Sequence, residues 1–240
     1  MGLIIMKTDF TPLQLAKYFD QTLLKAYASH NDLRAFCEEG ERYSFKTVVV
    51  NSAPVSICRE LLQNSELLVG ATVGFPLGQT TIESKVYEAK MAIQDGADEI
   101  DYVINIGELK SRNFYYIEHE MQEIVDACRS HDKTVKVIFE NCYLSEDEKK
   151  ILCEIALKVQ PHFIKTSTGF GTPAPGIPVG ATLEDVRLMK SMTGGLVKIK
   201  ASGGIRTLDD ALAMIDAGAQ RIGTSSGAAI IEELKELHKY

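Results

Sequence analysis

Three charged residues in the sequence interrupt or end short apolar runs, and they are the first candidates for chemistry. They are Asp101 in the segment DEIDYVIN, Lys165 in FIKTSTG and Lys200 in VKIKASGG. An ammonium group that loses its hydration, or that lies beside another cation, releases its proton more easily. The free amine can attack a carbonyl carbon and form a Schiff base, while a neighbouring carboxylate moves protons. The trio therefore indicates covalent catalysis on a carbonyl compound.

Each of these residues also has an ordinary structural interpretation. A lysine near a strand end commonly extends its charge to solvent or forms a salt bridge, and an aspartate commonly accepts structural hydrogen bonds. Lys198 shares the side-chain direction of Lys200 in an extended strand. We therefore expect Lys198 to lie one layer deeper and to form an interior ion pair with Glu140 or Glu99.

Two glycine-bearing segments could bind an anion. They are KASGGIRT, which contains Gly203 and Gly204, and IGTSSG, which contains Ser225 and Ser226. Each follows an apolar run and precedes a helix-like segment, where small residues let backbone amides point at phosphate oxygens. A Gly-Gly pair alone is more often a plain turn, but two such loops together favour a phosphate site.

The elements that must position these residues follow a regular pattern. Eight short β-rich runs occur in the chain, at residues 17–20, 47–50, 67–73, 99–104, 135–139, 162–165, 196–200 and 221–223. Their starts are about 29 residues apart on average, which suits a strand, a loop and a crossover helix. We predict an α/β protein with one (β/α)8 barrel over residues 1–240, and a short extra N-terminal helix over Asp9 to Ala16 that closes its bottom. Active sites of such barrels lie at the carboxyl ends of the strands, where the charged trio would meet.

Helix starts are marked by a hydroxyl residue three places before an acid. The pairs are Thr80 with Glu83, Ser145 with Glu148, Thr182 with Asp185, and Thr207 with Asp210. Each is a capping box or a close variant of one. In the segment from Ile82 to Asp95, helical spacing predicts a packed face that includes Val86, Ala89, Lys90 and Ile93.

Composition restricts the kinds of partner. The 240 residues carry a net charge of -7 and no long Lys/Arg cluster, which argues against a nucleic-acid or anionic-membrane surface. The first residues are too short an apolar run for a signal peptide, and no segment predicts a membrane span. The five cysteines are scattered and never spaced as C-x-x-C, so we expect reduced thiols in a cytoplasmic protein without a structural metal.

Taken together, four motifs resemble the deoxyribose-phosphate aldolase family. They are EID around Asp101, FIKTSTGF around Lys165, KASGGIRT after Lys200, and IGTSS near the end of the chain. They occur in the expected order and barrel units, and the similarity begins at FDQTLL near residue 19. The resemblance therefore covers nearly the whole chain.

The resemblance implies a class I aldolase that needs no metal or other cofactor. Its reaction would be the reversible cleavage of 2-deoxy-D-ribose 5-phosphate to D-glyceraldehyde 3-phosphate and acetaldehyde. By motif, Lys165 would form the Schiff base, Lys200 would lower the pKa of Lys165, and Asp101 would help to move protons through an ordered water. A homo-oligomer, either a dimer or a tetramer, is also implied.

The resemblance also assigns residues to the substrate pocket. The phosphate-binding set is Gly169, Gly203, Gly204, Ser225 and Ser226, the sugar-lining set is Asp20, Thr22 and Leu24, and Thr168 belongs to the same substrate and phosphate pocket. Some family members carry a terminal tyrosine that reaches the active site, and Tyr240 ends this chain. A short terminal tail is the alternative interpretation of Tyr240.

Two features depart from the family pattern. Phe170 stands where some members have a basic residue near the phosphate, so backbone amides and hydroxyls would carry more of the binding. The proline-rich segment from Pro173 to Val179 is longer than the usual connection. Our hypothesis is that it borders the mouth of the active site, in which case shortening it should alter the KM or the substrate range.

Two alternatives share some of these features. Another class I aldolase or a transaldolase would also use a lysine Schiff base and a phosphate loop, but a dihydroxyacetone donor would require extra polar partners beside Lys165. A barrel that only binds a phosphate compound, as a sensor or scaffold, is the alternative outside enzymology. The presence of all three predicted catalytic residues argues against that second alternative.

Overall fold

A computed structural model describes residues 10–239 of the chain. Among these residues, parallel strands close into a barrel in the order of the sequence. The strands are β1 (Phe19–Thr22), β2 (Thr47–Asn51), β3 (Leu68–Val73), β4 (Glu99–Val103), β5 (Thr134–Ile138), β6 (Phe163–Lys165), β7 (Lys198–Ser202) and β8 (Arg221–Thr224). The predicted (β/α)8 barrel is confirmed. Tyr240 and the first nine residues lie outside the described range.

Helices connect the strands on the outside of the barrel. They are α1 (Pro12–Ala16), α2 (His30–Tyr43), α3 (Val55–Leu61), α4 (Ile82–Gln94), α5 (Ile106–Lys110), α6 (Phe114–Arg129), α7 (Glu146–Val159), α8 (Leu183–Thr193), α9 (Leu208–Ala217) and α10 (Gly227–Leu237). The short α1 is the expected N-terminal helix, and it contacts α10. Its Leu15 and Ala16 are buried just before β1 begins.

Helices cover the outer face of the strands, so most strand residues are buried on both the helix side and the interior side of the barrel. The central strand residues of β2, Val48 to Val50, are all buried, as expected for a parallel strand with two packed faces. The last strand returns to the first, with Phe19 paired to Ile222 in the ladder. All side chains that point into the barrel therefore share one enclosed interior.

Two strands, β1 and β7, begin and end two residues later than the sequence predicts. Lys17 and Tyr18, predicted to begin the first strand, lie in the turn that ends α1, where the Tyr18 amide donates to Leu15 O. Leu196, predicted to begin the seventh strand, lies in the turn after α8 and is 77% exposed. In both cases a helix end competes successfully with β propensity.

Three of the four predicted helix starts are confirmed. The hydroxyls of Ser145, Thr182 and Thr207 each accept from the backbone amide three residues later. The fourth prediction was wrong by one residue. The cap of α4 is Thr81, which accepts from Ser84 N, rather than Thr80. Either threonine could satisfy the helix amides, and the sequence pattern alone does not choose between them.

The packed face of α4 contains a different lysine from the predicted one. Lys90 is exposed, whereas Lys85 is fully buried. The Lys85 ammonium donates to Val103 O at 2.7 Å and to Glu120 Oε1 on α6 at 2.6 Å. A buried lysine is tolerated here because a carboxylate and a carbonyl replace its hydration.

The state of the cysteine thiols and the apolar character of the helices can also be compared with the sequence-based expectations. All five cysteines are buried free thiols. Burial raises the pKa of both Cys128 and Cys153 to about 12, so these two thiols have little thiolate character. No helix within residues 10–239 has the length and apolar character to cross a membrane.

Gly40 allows α2 to pack closely on the barrel, and its replacement tests that contact. A β-carbon at Gly40 would lie 2.7 Å from Leu67 Cδ2 and 2.8 Å from Val48 Cγ1. In an exposed helix, alanine stabilises by roughly 1 kcal/mol relative to glycine. Here we expect Gly40→Ala to destabilise by about 1–3 kcal/mol, because the core must shift.

Urea unfolding measures this effect, with Glu38→Ala on the exposed face of the same helix as the matched control. The control should change the free energy of unfolding by less than about 0.5 kcal/mol. A Gly40→Ala protein as stable as the wild type, or more stable, would show that the contact is not tight.

Candidate active site

The predicted trio lies on three different strands inside the barrel. Asp101 is in the middle of β4, Lys165 is the last residue of β6, and Lys200 is in the middle of β7. Lys165 and Lys200 are ladder partners on neighbouring strands, so their side chains point the same way. Asp101 and Lys200 are fully buried, and Lys165 is 4% exposed.

Asp101 joins the two lysines directly. Its Oδ2 accepts from Lys165 Nζ at 2.9 Å and from Lys200 Nζ at 2.8 Å. Its Oδ1 accepts from the Lys136 ammonium at 2.7 Å. One carboxylate therefore contacts three ammonium groups, and the three residues predicted to be catalytic form a single hydrogen-bonded unit.

This unit belongs to a larger set of charges, which we call the interior ion cluster. Its members are Asp20, Glu99, Asp101, Lys136, Lys165, Lys200 and Arg221. The Lys200 ammonium also pairs with Asp20, and Arg221 bridges Asp20 at 2.5 Å and Glu99 at 3.1 Å. Lys136 contacts Glu99 at 2.5 Å. Ion pairs thus continue from the level of Lys165 down to the start of β4 and β8.

The prediction for Lys198 was wrong. Lys198 is exposed, and its ammonium lies 5.6 Å from the centre of the Phe163 ring instead of pairing with Glu140 or Glu99. Lys198 is the first residue of β7, while the neighbouring β8 begins beside Lys200. This stagger leaves Lys198 at the amino rim of the barrel, so side-chain direction alone did not place it inside.

Sequence reasoning did not identify the cations that occupy the deeper layer. These are Lys136 on β5 and Arg221 at the start of β8. The sequence offered one signal for Lys136, a lone charge between Val135 and Val137, but its pairing with Asp101 in the ladder is visible only in the structure. Arg221 gave a weaker signal, since a charged residue that begins a strand is usually at the rim.

Burial and the charges of the interior ion cluster together set the protonation of Lys165. Burial, the largest influence, lowers the pKa of Lys165 to about 8; the Lys200 charge acts in the same direction, and Asp101 opposes it. Burial alone would raise the pKa of Asp101, yet the ammonium groups of Lys136, Lys165 and Lys200 hold that pKa well below its ordinary value. The site therefore combines an ionised carboxylate with a lysine that gives up its proton readily.

A cavity of about 620 Å³ opens above the interior ion cluster. Its wall includes Lys165 together with most of the predicted pocket residues. These are Thr22, Leu24, Thr168, Gly203, Gly204, Ser225 and Ser226. Lys200, Asp101 and Asp20 lie beneath the wall, where they contact Lys165 or each other. Of the remaining predicted residues, Gly169 contacts the Gly203 loop rather than lining the cavity.

The loop after β7 requires glycine for two reasons. Gly203 and Gly204 have φ angles of +84° and +80°, which favour glycine. A β-carbon on Gly203 would also lie 2.9 Å from Gly180 Cα and 3.5 Å from Gly169 Cα. Close packing with the β6 loop therefore brings this backbone to the cavity wall.

Gln21 supports the loop after β8, and sequence reasoning did not single it out. Its Oε1 accepts from Gly227 N at 3.1 Å, and its Nε2 donates to Glu39 at 2.8 Å and to Ser225 O at 3.4 Å. Gln21 thus fixes the start of α10 beside the serine pair. Nothing in its sequence context distinguishes it from a surface glutamine.

Phe170 and the proline-rich segment lie in different surroundings. Phe170 is in the cavity wall, 52% exposed, with its ring edge-on to Phe75 at 5.4 Å. Among the described residues that line this cavity, none comes from 173–179. Ile177 and Pro178 instead line a separate cavity of about 440 Å³. Two residues after this segment, the Ala181 amide donates to Ser202 O and Gly203 O, so the effect of the segment on the mouth stays a hypothesis.

Comparison with known proteins places the chain among aldolases. A family model described as DeoC/LacD family aldolase matches residues 14–233. A deoxyribose-phosphate aldolase from Lactobacillus acidophilus is 51% identical over 226 residues, which is 94% of this chain and 93% of that protein. One from Finegoldia magna is 50% identical over 92% of this chain and 100% of that protein.

Solved structures show the same fold. A deoxyribose phosphate aldolase from Aeropyrum pernix, described as having a unique tetrameric structure, superimposes with a TM-score of 0.86 and 31% identity. The match covers 95% of this chain and 93% of that one. A protein described as QR15, an aldolase, gives a TM-score of 0.86 with 41% identity over 94% and 97% of the two chains.

The lowered pKa of Lys165 predicts the pH dependence of its reaction with an aldehyde. A lysine at the ordinary pKa of 10.5 is less than about one-thousandth free amine at pH 7, whereas a pKa of about 8 leaves roughly one-tenth free. Only the free amine attacks, so trapping by a small aldehyde and a hydride reductant should rise with pH and level off above a midpoint near 8.

Peptide mapping of the reduced adduct at Lys165 between about pH 6 and pH 10 measures this profile. A lysine-containing peptide under the same conditions corrects for the pH dependence of the reductant. A Lys165 profile that coincides with that of the peptide would contradict the lowered pKa.

Proposed function

We propose a specific reaction for this chain, which belongs to the DeoC/LacD family of aldolases. The reaction is the reversible cleavage of 2-deoxy-D-ribose 5-phosphate to D-glyceraldehyde 3-phosphate and acetaldehyde. The observation that carries the proposal is the hydrogen-bonded unit of Lys165, Asp101 and Lys200 beneath an open cavity. Relatives about half identical over more than nine-tenths of the chain carry the corresponding name.

In the cleavage direction, Lys165 acts as the nucleophile. Its free amine attacks the C1 aldehyde of the open-chain sugar, and loss of water gives an iminium ion. The C3 hydroxyl loses its proton, the C2–C3 bond breaks, and the electron pair moves into the iminium to give an enamine. D-Glyceraldehyde 3-phosphate leaves with C3 as its aldehyde carbon. Protonation of the enamine at C2 and hydrolysis then release acetaldehyde and restore Lys165.

Asp101 and Lys200 serve the proton transfers and the charge balance. Asp101 Oδ2 contacts both ammonium groups, so it lies where a proton leaves or returns to Lys165. Lys200 stays bonded to Asp101 and Asp20. Its positive charge lowers the pKa of Lys165, so a larger fraction of Lys165 is present as the free amine. The iminium stores the electron pair that the broken bond releases, and the ionised Asp101 stabilises its positive charge.

The phosphate group would lie against the loops after β7 and β8. Gly203, Gly204, Ser225 and Ser226 all line the cavity, and Ser226 precedes the N-terminus of α10. A helix N-terminus and small residues favour an anion. Phe170, which is in the wall beside Thr168, adds an apolar surface to the mouth. The carbonyl end of the sugar would then reach Lys165.

The proposal extends to assembly and location. A homo-oligomer, either a dimer or a tetramer, is supported by the tetrameric aldolase from Aeropyrum pernix. A cytoplasmic location is supported by five buried free thiols. Light scattering of the purified chain measures its mass in solution, and a monomer at micromolar concentration would reject the assembly.

Replacement of Lys165 tests the nucleophile. Reduction with borohydride in the presence of acetaldehyde should attach one ethyl group to Lys165 in the wild-type protein. Lys165→Ala should lose this adduct, because Lys165 is the cavity-lining lysine with a lowered pKa, whereas Lys25, which also lines the cavity, is exposed to solvent. Lys198→Ala, which removes an exposed lysine, is the matched control and should keep the adduct. An equally rapid adduct in Lys165→Ala, mapped to another lysine, would reject the assignment.

Replacement of Lys200 tests the role of its charge. Lys200→Leu should raise the pKa of Lys165, since a neighbouring cation is removed, and should lower turnover at pH 7 by about tenfold or more. The trapping midpoint should move to higher pH. Lys149→Leu is a suitable control, because it removes a lysine paired with Asp185 outside the interior ion cluster. Near-normal turnover in Lys200→Leu would show that this charge is dispensable.

A further inference from the structure

Glu140, at the carboxyl end of β5, is a buried carboxylate that the reaction above does not use. It is 1% exposed and has a left-handed backbone, with φ of 59° and ψ of 61°. A residue with a β-carbon adopts this conformation at an energetic cost, so its surroundings must hold it there. The contacts of its side chain show what that conformation achieves.

The Glu140 carboxylate is bonded to Thr168 at two points. Oε1 accepts from Thr168 N at 3.1 Å, and Oε2 accepts from the Thr168 hydroxyl in a short hydrogen bond. The Cys142 thiol lies 3.9 Å from Oε1. Thr168 lies in the cavity wall, three residues after Lys165. Glu140 therefore contacts a residue of the cavity wall but does not itself line the cavity.

The backbone on either side of Glu140 binds the same loop. Phe139 N donates to Lys165 O at 2.9 Å, and Asn141 N donates to Thr166 O at 2.9 Å. Together with the side chain of Glu140, these bonds fix the β6 loop from Lys165 to Thr168. Of the three contributors, Glu140 alone supplies a charge.

The bond to Glu140 also determines what Thr168 can offer to a ligand. A hydroxyl has one proton and two lone pairs. The Thr168 proton is directed to the Glu140 carboxylate, and one lone pair accepts from Phe170 N at 2.9 Å. The second lone pair of the Thr168 hydroxyl is not used by these bonds, so this hydroxyl can only accept a hydrogen bond from a ligand. A substrate hydroxyl is such a donor.

We propose that Glu140 is a positioning residue for the aldolase reaction, which holds Thr168 as a hydrogen-bond acceptor for a hydroxyl of the sugar phosphate. The inference rests on the proposed function, because it assigns a partner to a substrate hydroxyl. Acetaldehyde has no hydroxyl, so its reaction with Lys165 does not use this bond. Selectivity between hydroxylated and simple aldehydes would thus depend on a residue that does not touch the substrate.

Two variants remove the bond from opposite sides. Glu140→Gln replaces the carboxylate by an amide that can donate to Thr168, and Thr168→Val removes the hydroxyl without changing a charge. For cleavage of deoxyribose 5-phosphate, each should raise the KM by about tenfold, the effect of one hydrogen bond to or through a charged group. The double variant should be no worse than about twice the larger single effect, because both changes remove the same bond.

Borohydride trapping with acetaldehyde separates positioning from general damage. Its rate should stay within about threefold of the wild type in both variants. Glu120→Gln is the matched control, since Glu120 is also buried and accepts from a backbone amide, Asn105 N, and a side chain, Lys85. That control should lower the free energy of unfolding without raising the KM.

Three results would overturn the inference. They are an unchanged KM in both single variants, additive losses in the double variant, or a loss of trapping as large as the loss of cleavage. If Glu140→Gln does not fold, Thr168→Val alone still tests the inference. An unchanged KM in that variant, or a loss of trapping as large as its loss of cleavage, would overturn it. A wild-type protein that traps acetaldehyde but does not cleave the sugar phosphate would instead overturn the proposed substrate, and this inference with it.

Discussion

The interior of the barrel encloses an unequal number of charges, and the site depends on that inequality. Within the described chain, the interior ion cluster has four cations, from Lys136, Lys165, Lys200 and Arg221, and three carboxylates. Closed strands keep water out, so the carboxylates must neutralise the cations directly. One cation is in surplus, and the loss of its proton relieves the repulsion. Lys165 is the member that lines the cavity, and burial with the neighbouring cation lowers its pKa to about 8. The fold thus makes an ordinary lysine side chain reactive by lowering the pKa of its ammonium group.

The same surplus explains how an acidic protein can bind a sugar phosphate. The net charge of -7 is carried mostly by the outer surface, while the barrel mouth combines lysines with the glycine loops and the start of α10. A phosphate at these loops and an aldehyde at Lys165 would lie in one cavity, since both sets of residues line it. Binding energy from the phosphate can then hold the carbonyl carbon near the amine. Gln21, which lines the cavity beside the serine pair, and Glu140, which lies behind Thr168, hold these loops in place.

The strand pattern and the motifs at strand ends were readable from the sequence, because parallel buried strands are apolar and repeat at regular spacing. The convergence of Asp101, Lys165 and Lys200 also followed, since carboxyl ends of barrel strands meet. The barrel stagger was not readable: it placed Lys198 at the rim and Arg221 inside, although periodicity alone treats both as strand residues. Lys136 was missed because its role depends on the ladder pairing with Asp101. Gln21 was missed and Glu140 was given the wrong partner, Lys198, because the residues that contact them lie in other parts of the sequence.

The most direct test of this account is release of D-glyceraldehyde 3-phosphate from 2-deoxy-D-ribose 5-phosphate, followed by a coupled assay with excess chelator present. We predict steady release by the wild-type protein, unchanged by the chelator, and none above the uncatalysed rate by Lys165→Ala. A wild-type protein that binds the sugar phosphate without releasing product would contradict it. Release that persists in Lys165→Ala would do the same, since it would move the chemistry away from the one amine that the interior charges prepare.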